Sequence, residues 1–382
     1  MVGITTIYSF INKAVLQIKR FYAIYNSFLG IGILLFYYKV NMMEKDKYLK
    51  GLEDEIKRNK MGEKYAKTCV SYAKRLLDSD LPVIFDIDHL CLLIGIKKSD
   101  LTKFIYADYL FYTQVHIPKK SGGKRELDVP SADLKYIQRW ILDNVLNNMH
   151  ISKYATGFYD NRSILDNAKR HTNQSCVLNM DLKDFFPSIS FNKVFMIFKY
   201  YGYTKEVSFV LAKLCTFDNH LPQGSPASPY ISNISCLKLD ARLSALAELY
   251  HANYSRYADD ITFSGANDIV GIISISKKII TEEGFTINEK KTRIAYSHQK
   301  QEVTGLIVNN DTVRVDKRYK RELYQELYYC EKFGVADHMQ RINCNKAFFK
   351  EHMYGKAYFI NMVEPNEGKK LFEILERINW DY

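Results

Sequence analysis

Two short acidic stretches constrain this chain more than anything else in it: "NMDLKDFFPSI" at 179–189 and "YSRYADDITFSG" at 254–265. Asp181 lies in an apolar run, 177–182, that reads as a buried strand. The adjacent pair Asp259 and Asp260 lies between two further apolar stretches, the pattern of a hairpin with acids at its tip. If these strands pair side by side, three carboxylates converge. Carboxylates crowded into a dry cleft repel unless cations sit among them. Hard divalent ions are the usual partners, because Mg²⁺ takes a few carboxylates together with substrate phosphates. Two such ions roughly 3.5–4 Å apart clamp the attacking and leaving oxygens of an in-line phosphoryl displacement. For any single Asp the alternative is a turn cap, where this residue is common.

The rest of the composition suits a polyanionic partner. Lys+Arg 54 against Asp+Glu 43 leaves a net charge of +11, a surplus that fits nucleic acid or an anionic membrane surface. An ordinary basic surface stays open as the other reading. Aromatics make up 14%, with 29 Tyr, which adds stacking capacity and equally fills cores. The seven cysteines (69, 91, 176, 215, 236, 330, 344) form no CxxC pair, which argues against a disulfide framework or a zinc site and fits a reducing cytosol. "FYAIYNSFLGIGILLFYY", 21–38, is 18 residues without a charge, between Arg20 and Lys39, at the lower edge for a membrane span. Asn26, Ser27 and two glycines weaken that reading, and no secretory cleavage site is present. Met42 or Met43 is an alternative start, opening the soluble helix "MMEKDKYLKGLEDEIKRNK". No membrane partner is expected.

Residues 43–110 read as helical, with a helix-turn-helix element at 84–101. Alternation through Tyr112, Val115 and Ile117, then "SGG", then "RELDV" predicts a hairpin. Ser131 caps a helix with Leu134, Ile137, Ile141 and Val145 at helical spacing. Helices are expected at 191–201 and 204–214, and from "LPQGSPASP" (221–229) to about Tyr250. An amphipathic helix at 269–283 follows, then a hairpin at 302–316 turning at "NND", then basic helices from Lys317. Strands alternate with helices without strict βαβ order, which predicts an α+β class. The 382 residues suffice for two or three structural units.

On these motifs the chain resembles a reverse transcriptase over roughly 105–382: "YADD" matches the family's Y-x-D-D signature and "NMDLKDFFPSI" its first palm motif. The resemblance implies a right-hand polymerase, with fingers and palm at 111–315 and a helical thumb at 316–382. They follow a helical N-terminal region, 43–110, and an extension, 1–42, that has no counterpart in the family. It implies that Asp181 and Asp259 bind two Mg²⁺ ions directly, that Asp260 completes the cluster, and that dNTPs are the substrates. "LPQGSPASP" resembles Q-G-x-x-x-S-P, which puts Gln223 on the incoming nucleotide. "NEKKT" resembles N-x-x-K-T, which puts Lys291 near the triphosphate. Phe186, five residues after Asp181, holds the position of an aromatic ring under the nucleotide sugar, where it would clash with a 2′-OH. Gly224 gives the backbone beside Gln223 freedom to approach a substrate. Lys119, Lys120, Lys124 and Arg125 ride a glycine hairpin suited to closing on phosphates, with Arg125 best placed at the start of the returning strand.

Two further stretches resemble retron-type enzymes in particular. "NAKRH", Asn167 to His171, matches their N-A-x-x-H element, and Val303-Thr304-Gly305 their V-T-G element. The resemblance implies that Asn167, His171, Val303, Thr304 and Gly305 help to recognise a cognate structured non-coding RNA. It also implies a thumb that grips RNA or nascent duplex through Lys317 and Arg318, with Arg314, Lys320 and Arg321 beside them. Synthesis would start from a guanosine 2′-OH and leave branched RNA-linked DNA (msDNA). The setting would be the bacterial cytoplasm, in a phage-defence system with an effector protein and a higher-order assembly. Three other readings are a group II intron-type enzyme, although only about 66 residues follow Asp316, a template-independent abortive-infection polymerase, and a mainly structural RNA/DNA-binding component of a defence complex.

Overall fold

The computed structural model describes residues 32–118, 122–159, 162–344 and 347–380, with side chains from 44 onward. Most of the apolar stretch at 21–38 therefore lies outside the described residues, as does Lys119. Among the described residues no helix is long and apolar enough to cross a membrane. The chain folds as two compact units that interleave in sequence. One is Met1–Ile151 with Phe186–Ser235, the other Ser152–Phe185 with Cys236–Tyr382.

The first unit is mostly helical. Several of its helices begin where polar side chains satisfy the free N–H groups of the first turn. Asp86 accepts from His89 N ahead of Ile87–Ile94, Ser131 from Leu134 N ahead of Ala132–Asn144, and Thr204 from Val207 N ahead of Lys205–Cys215. The apolar spacing of Leu134, Ile137 and Ile141 buries that face of the Ser131-capped helix. The unit carries one hairpin, β1 (Tyr112–Pro118) on β2 (Lys124–Pro130), paired from Tyr112↔Pro130 to Pro118↔Lys124. Gly122 and Gly123 turn back into β2 at φ 85° and 80°, a backbone that side chains other than glycine rarely adopt. The expected single helix up to Tyr250 is broken at Cys236, giving Ser228–Ser235 in this unit and Leu237–Leu249 in the other.

The second unit is built on a five-stranded sheet. Its centre is β3 (Cys176–Lys183), almost wholly buried, which explains its near-continuous apolar run. On one side β3 pairs with β5 (Asp260–Gly265), which in turn pairs with β4 (Asn253–Tyr257). On the other side it pairs with β6 (Thr286–Ile287) and β7 (Arg293–Tyr296). A separate hairpin, β8 (Glu302–Val303) on β9 (Leu306–Ile307), turns at Thr304-Gly305. Beyond it Ile307 bridges to Arg314 with the "NND" loop between them, so the one expected hairpin is two in succession. Four C-terminal helices, from Lys317–Phe333 to Pro365–Arg377, share one core with Val177 of β3, Val303 of β8 and Ala168.

Candidate active site

The sheet brings the acidic stretches together. Asp181 on β3 stands opposite Asp260 on β5, and Asp260 stands opposite Tyr257 on β4. Opposed residues of antiparallel strands share a face, so Tyr257, Asp260 and Asp181 line up across three strands. Ala258 and Asp259 form the turn between β4 and β5, with Ala258 at φ 57°, the left-handed geometry that tight hairpin turns ask of their first residue. Backbone bonds tie both acid-bearing segments down. Leu182 N donates to Asp259 O at 3.0 Å, and Asn288 N donates to Asp181 O at 2.8 Å.

Asp181 is buried, and Lys291 Nζ lies 2.7 Å from its Oδ2. That bond raises the Lys291 ammonium above its ordinary value. Asp260 is exposed. Even so, desolvation by the protein packed around it, then the charges of Asp259 and Asp181, push its carboxyl up to about 6 against the pull of Lys291. Among the described residues no three His, Cys, Asp or Glu side chains stand close enough, as they are, to enclose a metal ion. The face instead offers oxygen donors whose mutual repulsion a divalent cation relieves, and an all-oxygen set fits Mg²⁺ rather than a softer metal.

The expected nucleotide contacts divide between the units. Lys291 belongs to the second; Arg125, Phe186 and Gln223 belong to the first. Phe186 and Gln223 are half-buried and Arg125 is exposed. Arg125 is paired with Ile117 across the hairpin. The structure corrects the reason for Gly224. A Cβ there would meet Asp128 O at 2.4 Å and Val129 Cα at 2.9 Å. What glycine permits is the approach of the Gln223 loop to the β2 backbone, so Gln223 is anchored to the strand that carries Arg125.

Burial also corrects the roles expected of the NAKRH and VTG residues. Asn167, His171 and Val303 are fully buried and cannot touch RNA as they stand. The His171 ring spans β4 and β5, with Nδ1 2.7 Å from Ser264 Oγ and Nε2 2.7 Å from Ser255 Oγ. Burial, then the charge of Arg170, lowers it to about 3, so the ring is neutral and gives one N–H while accepting one O–H. The Asn167 amide meets the Thr156 hydroxyl at 2.8 Å, and that hydroxyl lies 3.0 Å from Arg256 O. Thr304 Oγ1 donates to Ile164 O at 3.2 Å, joining the VTG turn to the NAKRH helix, Ile164–Lys169. Thr304 and Gly305 sit at φ 48° and 82°, a primed turn with a β-branched residue in a position that costs it strain. Lys169, Arg170, Gly305, Lys317 and Arg318 remain exposed. Arg318 Nε donates to Glu322 at 2.8 Å.

The two motifs also share a face with the acids. By pairing, Asp181 and Asp260 are followed along β3 and β5 by Asn179 and Thr262, joined at 3.1 Å, and then by Val177 and Ser264, which His171 holds. At about 3.3 Å per strand residue, His171's anchor on Ser264 is roughly 13 Å from Asp260.

Residues 117–309 match the reverse transcriptase (RNA-dependent DNA polymerase) family. Over 312 residues the chain is 33% identical to the retron Ec86 reverse transcriptase of Escherichia coli, covering 81% of this chain and 94% of that protein. The chain belongs to the retron reverse transcriptases. A second relative, the retron Mx162 reverse transcriptase of Myxococcus xanthus, is 33% identical over 72% of this chain and 63% of its own length. Looser overlaps with solved polymerases, such as a telomerase from Candida albicans (TM-score 0.40, 11% identity, 68% of this chain and 54% of that one), add nothing to the assignment.

This retron reverse transcriptase is an RNA-directed DNA polymerase built of mixed helix and sheet, with RNA and DNA as its partners. Sequence reasoning missed the residues behind its acids: the polar Ser255, Ser264, Thr156 and above all Arg256, and the close-packed Gly157. One signal was present. An arginine inside a strand that is otherwise buried demands a buried partner, and "LKLDARL" holds one in Asp240.

Proposed function

We propose that this enzyme copies a structured non-coding RNA into DNA, starting from a guanosine 2′-OH within that RNA and leaving branched RNA-linked single-stranded DNA. The observation that carries the catalytic part is the Asp181–Asp260 pairing with Asp259 in the adjoining turn. In this reading Asp181 and Asp259 hold two Mg²⁺ ions and Asp260 completes the acidic set. The ions, when bound, polarise the dNTP phosphate, activate the attacking hydroxyl and offset charge on the leaving pyrophosphate. Asp181 and Asp259 supply oxygens from backbones fixed in place, so the reacting groups meet a preformed face. Lys291, at present paired with Asp181, moves to the triphosphate when substrate arrives. Arg125 and Lys119 close on the same phosphates, Gln223 meets the nucleotide, and the Phe186 ring excludes a 2′-OH.

RNA recognition falls in this reading to the exposed neighbours of buried motif residues. Asn167, His171, Val303 and Thr304 shape the surface on which Lys169, Arg170 and Gly305 stand, and the thumb at 316–382, with Lys317 and Arg318, grips phosphates. The shared sheet face supports this, since it sets the retron-specific motifs about four strand residues from the acids. The bacterial cytoplasm, phage defence and a partner effector complete the proposal.

Co-expression with the neighbouring RNA gene tests it. Wild-type protein should yield RNase-resistant single-stranded DNA joined to RNA, and Asp259→Ala should reduce the yield about a thousandfold or more. No such DNA from the wild type, or its persistence in the variant, overturns the reading. An Asp259→Ala strain that keeps phage defence would favour a mainly structural component instead.

A further inference from the structure

Under the catalytic turn lies a side chain that none of the chemistry above uses. Arg256 is fully buried, its guanidinium forked onto Asp240 of the helix Leu237–Leu249, with Nε to Oδ1 and Nη2 to Oδ2 both at 2.8 Å. Asp240 is also fully buried, and it accepts from Tyr254 Oη at 2.7 Å. The remaining terminal nitrogen, Nη1, donates to Ala258 O at 3.0 Å. Ala258 is the left-handed residue of the turn, immediately before Asp259. From another side Gly157 packs so closely that a Cβ there would lie 3.0 Å from Ala258 N and 3.3 Å from Tyr257 Cγ.

A buried ion pair is a poor way to gain stability, because desolvating both charges offsets most of their attraction. Its strength is geometric: a bidentate guanidinium–carboxylate fork fixes the direction of every N–H it leaves over. Here one of the N–H groups left over is spent on the carbonyl of a strained turn residue.

We propose that the Arg256–Asp240 pair is a positioning device that holds the YADD turn, and hence the Asp259 carboxylate, in its working place. Arg256 acts through the Ala258 carbonyl and touches no substrate. The proposal rests on the catalytic reading of Asp259 given above.

Arg256→Lys keeps the positive charge but cannot fork onto Asp240 and reach Ala258 O together. Tyr254→Phe removes a bond from the same network without touching the turn. Three readouts separate them: melting temperature, backbone hydrogen exchange across 257–260, and DNA synthesis against Mg²⁺ concentration. Arg256→Lys should fold, bind the cognate RNA as the wild type does, and exchange faster across the turn. It should also need several-fold more Mg²⁺ and lose on the order of 10- to 100-fold in rate. Tyr254→Phe should lose comparable thermal stability with exchange across the turn and Mg²⁺ demand left near wild type. Exchange or Mg²⁺ demand unchanged in Arg256→Lys, equal shifts in both variants, or an Arg256→Lys protein that does not fold would each overturn the proposal. Exchange is read without catalysis, so loss of the polymerase reading would show separately, as a wild type that makes no DNA.

Discussion

The two longer hairpins, β4–β5 and β1–β2, carry charged residues in opposite ways. The β4–β5 hairpin spends its turn on two residues, one of them left-handed, and packs it from three directions: Arg256 Nη1, Leu182 N and the Gly157 backbone. Its strands are buried at nearly every position. The β1–β2 hairpin has a longer loop that ends in two glycines with nothing within 4 Å of where their Cβ atoms would sit. β1 is exposed along almost its whole length, and Val115 and Ile117 stay 41% and 45% exposed. The first hairpin is built to hold acids still while they repel one another. The second leaves Arg125 exposed, as suits a cation that must meet a substrate.

Glycine substitutions break or sharpen this contrast most directly. Gly157→Ala should drive a methyl into Ala258 N and the Tyr257 ring and cut DNA synthesis on the order of 100-fold. Gly122→Ala should cost only the local penalty of a left-handed alanine, about 1 kcal/mol, with synthesis within a few-fold. Steady-state rates on one primed template check both, and the reverse ranking would undo the contrast. Gly224→Ala extends it to a close-packed glycine of the first unit. Its Cβ would sit 2.4 Å from a backbone oxygen, so the Gln223 loop must move, and the KM for dNTP should rise about tenfold or more while affinity for RNA holds.

His171→Ala should come next in size. It leaves the buried hydroxyls of Ser255 and Ser264 short of a partner, at about 2–4 kcal/mol of stability read by denaturant melts. Synthesis should fall on a generic primed template as well as on the cognate RNA, and further on the cognate RNA, because His171 supports the surface that carries Lys169 and Arg170. A loss confined to the cognate RNA would restore the direct-contact role that burial removes. The smallest effect concerns pH. The folded state holds the Asp260 proton up to about 6, above the ordinary carboxylate value of about 3.9. The stability this lends is therefore present in acid and is lost as pH rises through about 6. Mg²⁺ should thus raise the melting temperature more above that pH than below it, and Asp260→Asn should flatten the difference.

Much of the site was legible because its chemistry leaves unusual residues in ordinary patterns. Acids interrupting buried strands mark Asp181, Asp259 and Asp260; the hairpin pairs β4 with β5 locally, whereas β3 meets β5 from about 80 residues away. The alternation and glycines of β1–β2, and the Ser131 cap, were legible for the same local reason. The burial of Asn167 and His171 was not. A polar pair four residues apart reads as a solvated helix face, and only the serines of the sheet behind it and Thr156 in the segment beside β4 satisfy it. Gly224 was read for its freedom when its service is lack of bulk, a distinction that needs the β2 backbone on the other side. The break at Cys236 escaped notice because apolar residues run through it on both sides.

The central place of β3 has a consequence for how the enzyme comes into being. Its partners β5 and β7 lie about 80 and 115 residues further along the chain, and pairings so distant form slowly. While the chain is being made, Asp181 leaves the ribosome long before the strand that will carry Asp260, and longer still before Lys291 arrives to neutralise it. A nascent chain therefore holds the first half of the acidic face with nothing to close it. The acidic face closes only once the chain has been made through β5 and Lys291, so a shorter early product that stops before β5 carries Asp181 alone.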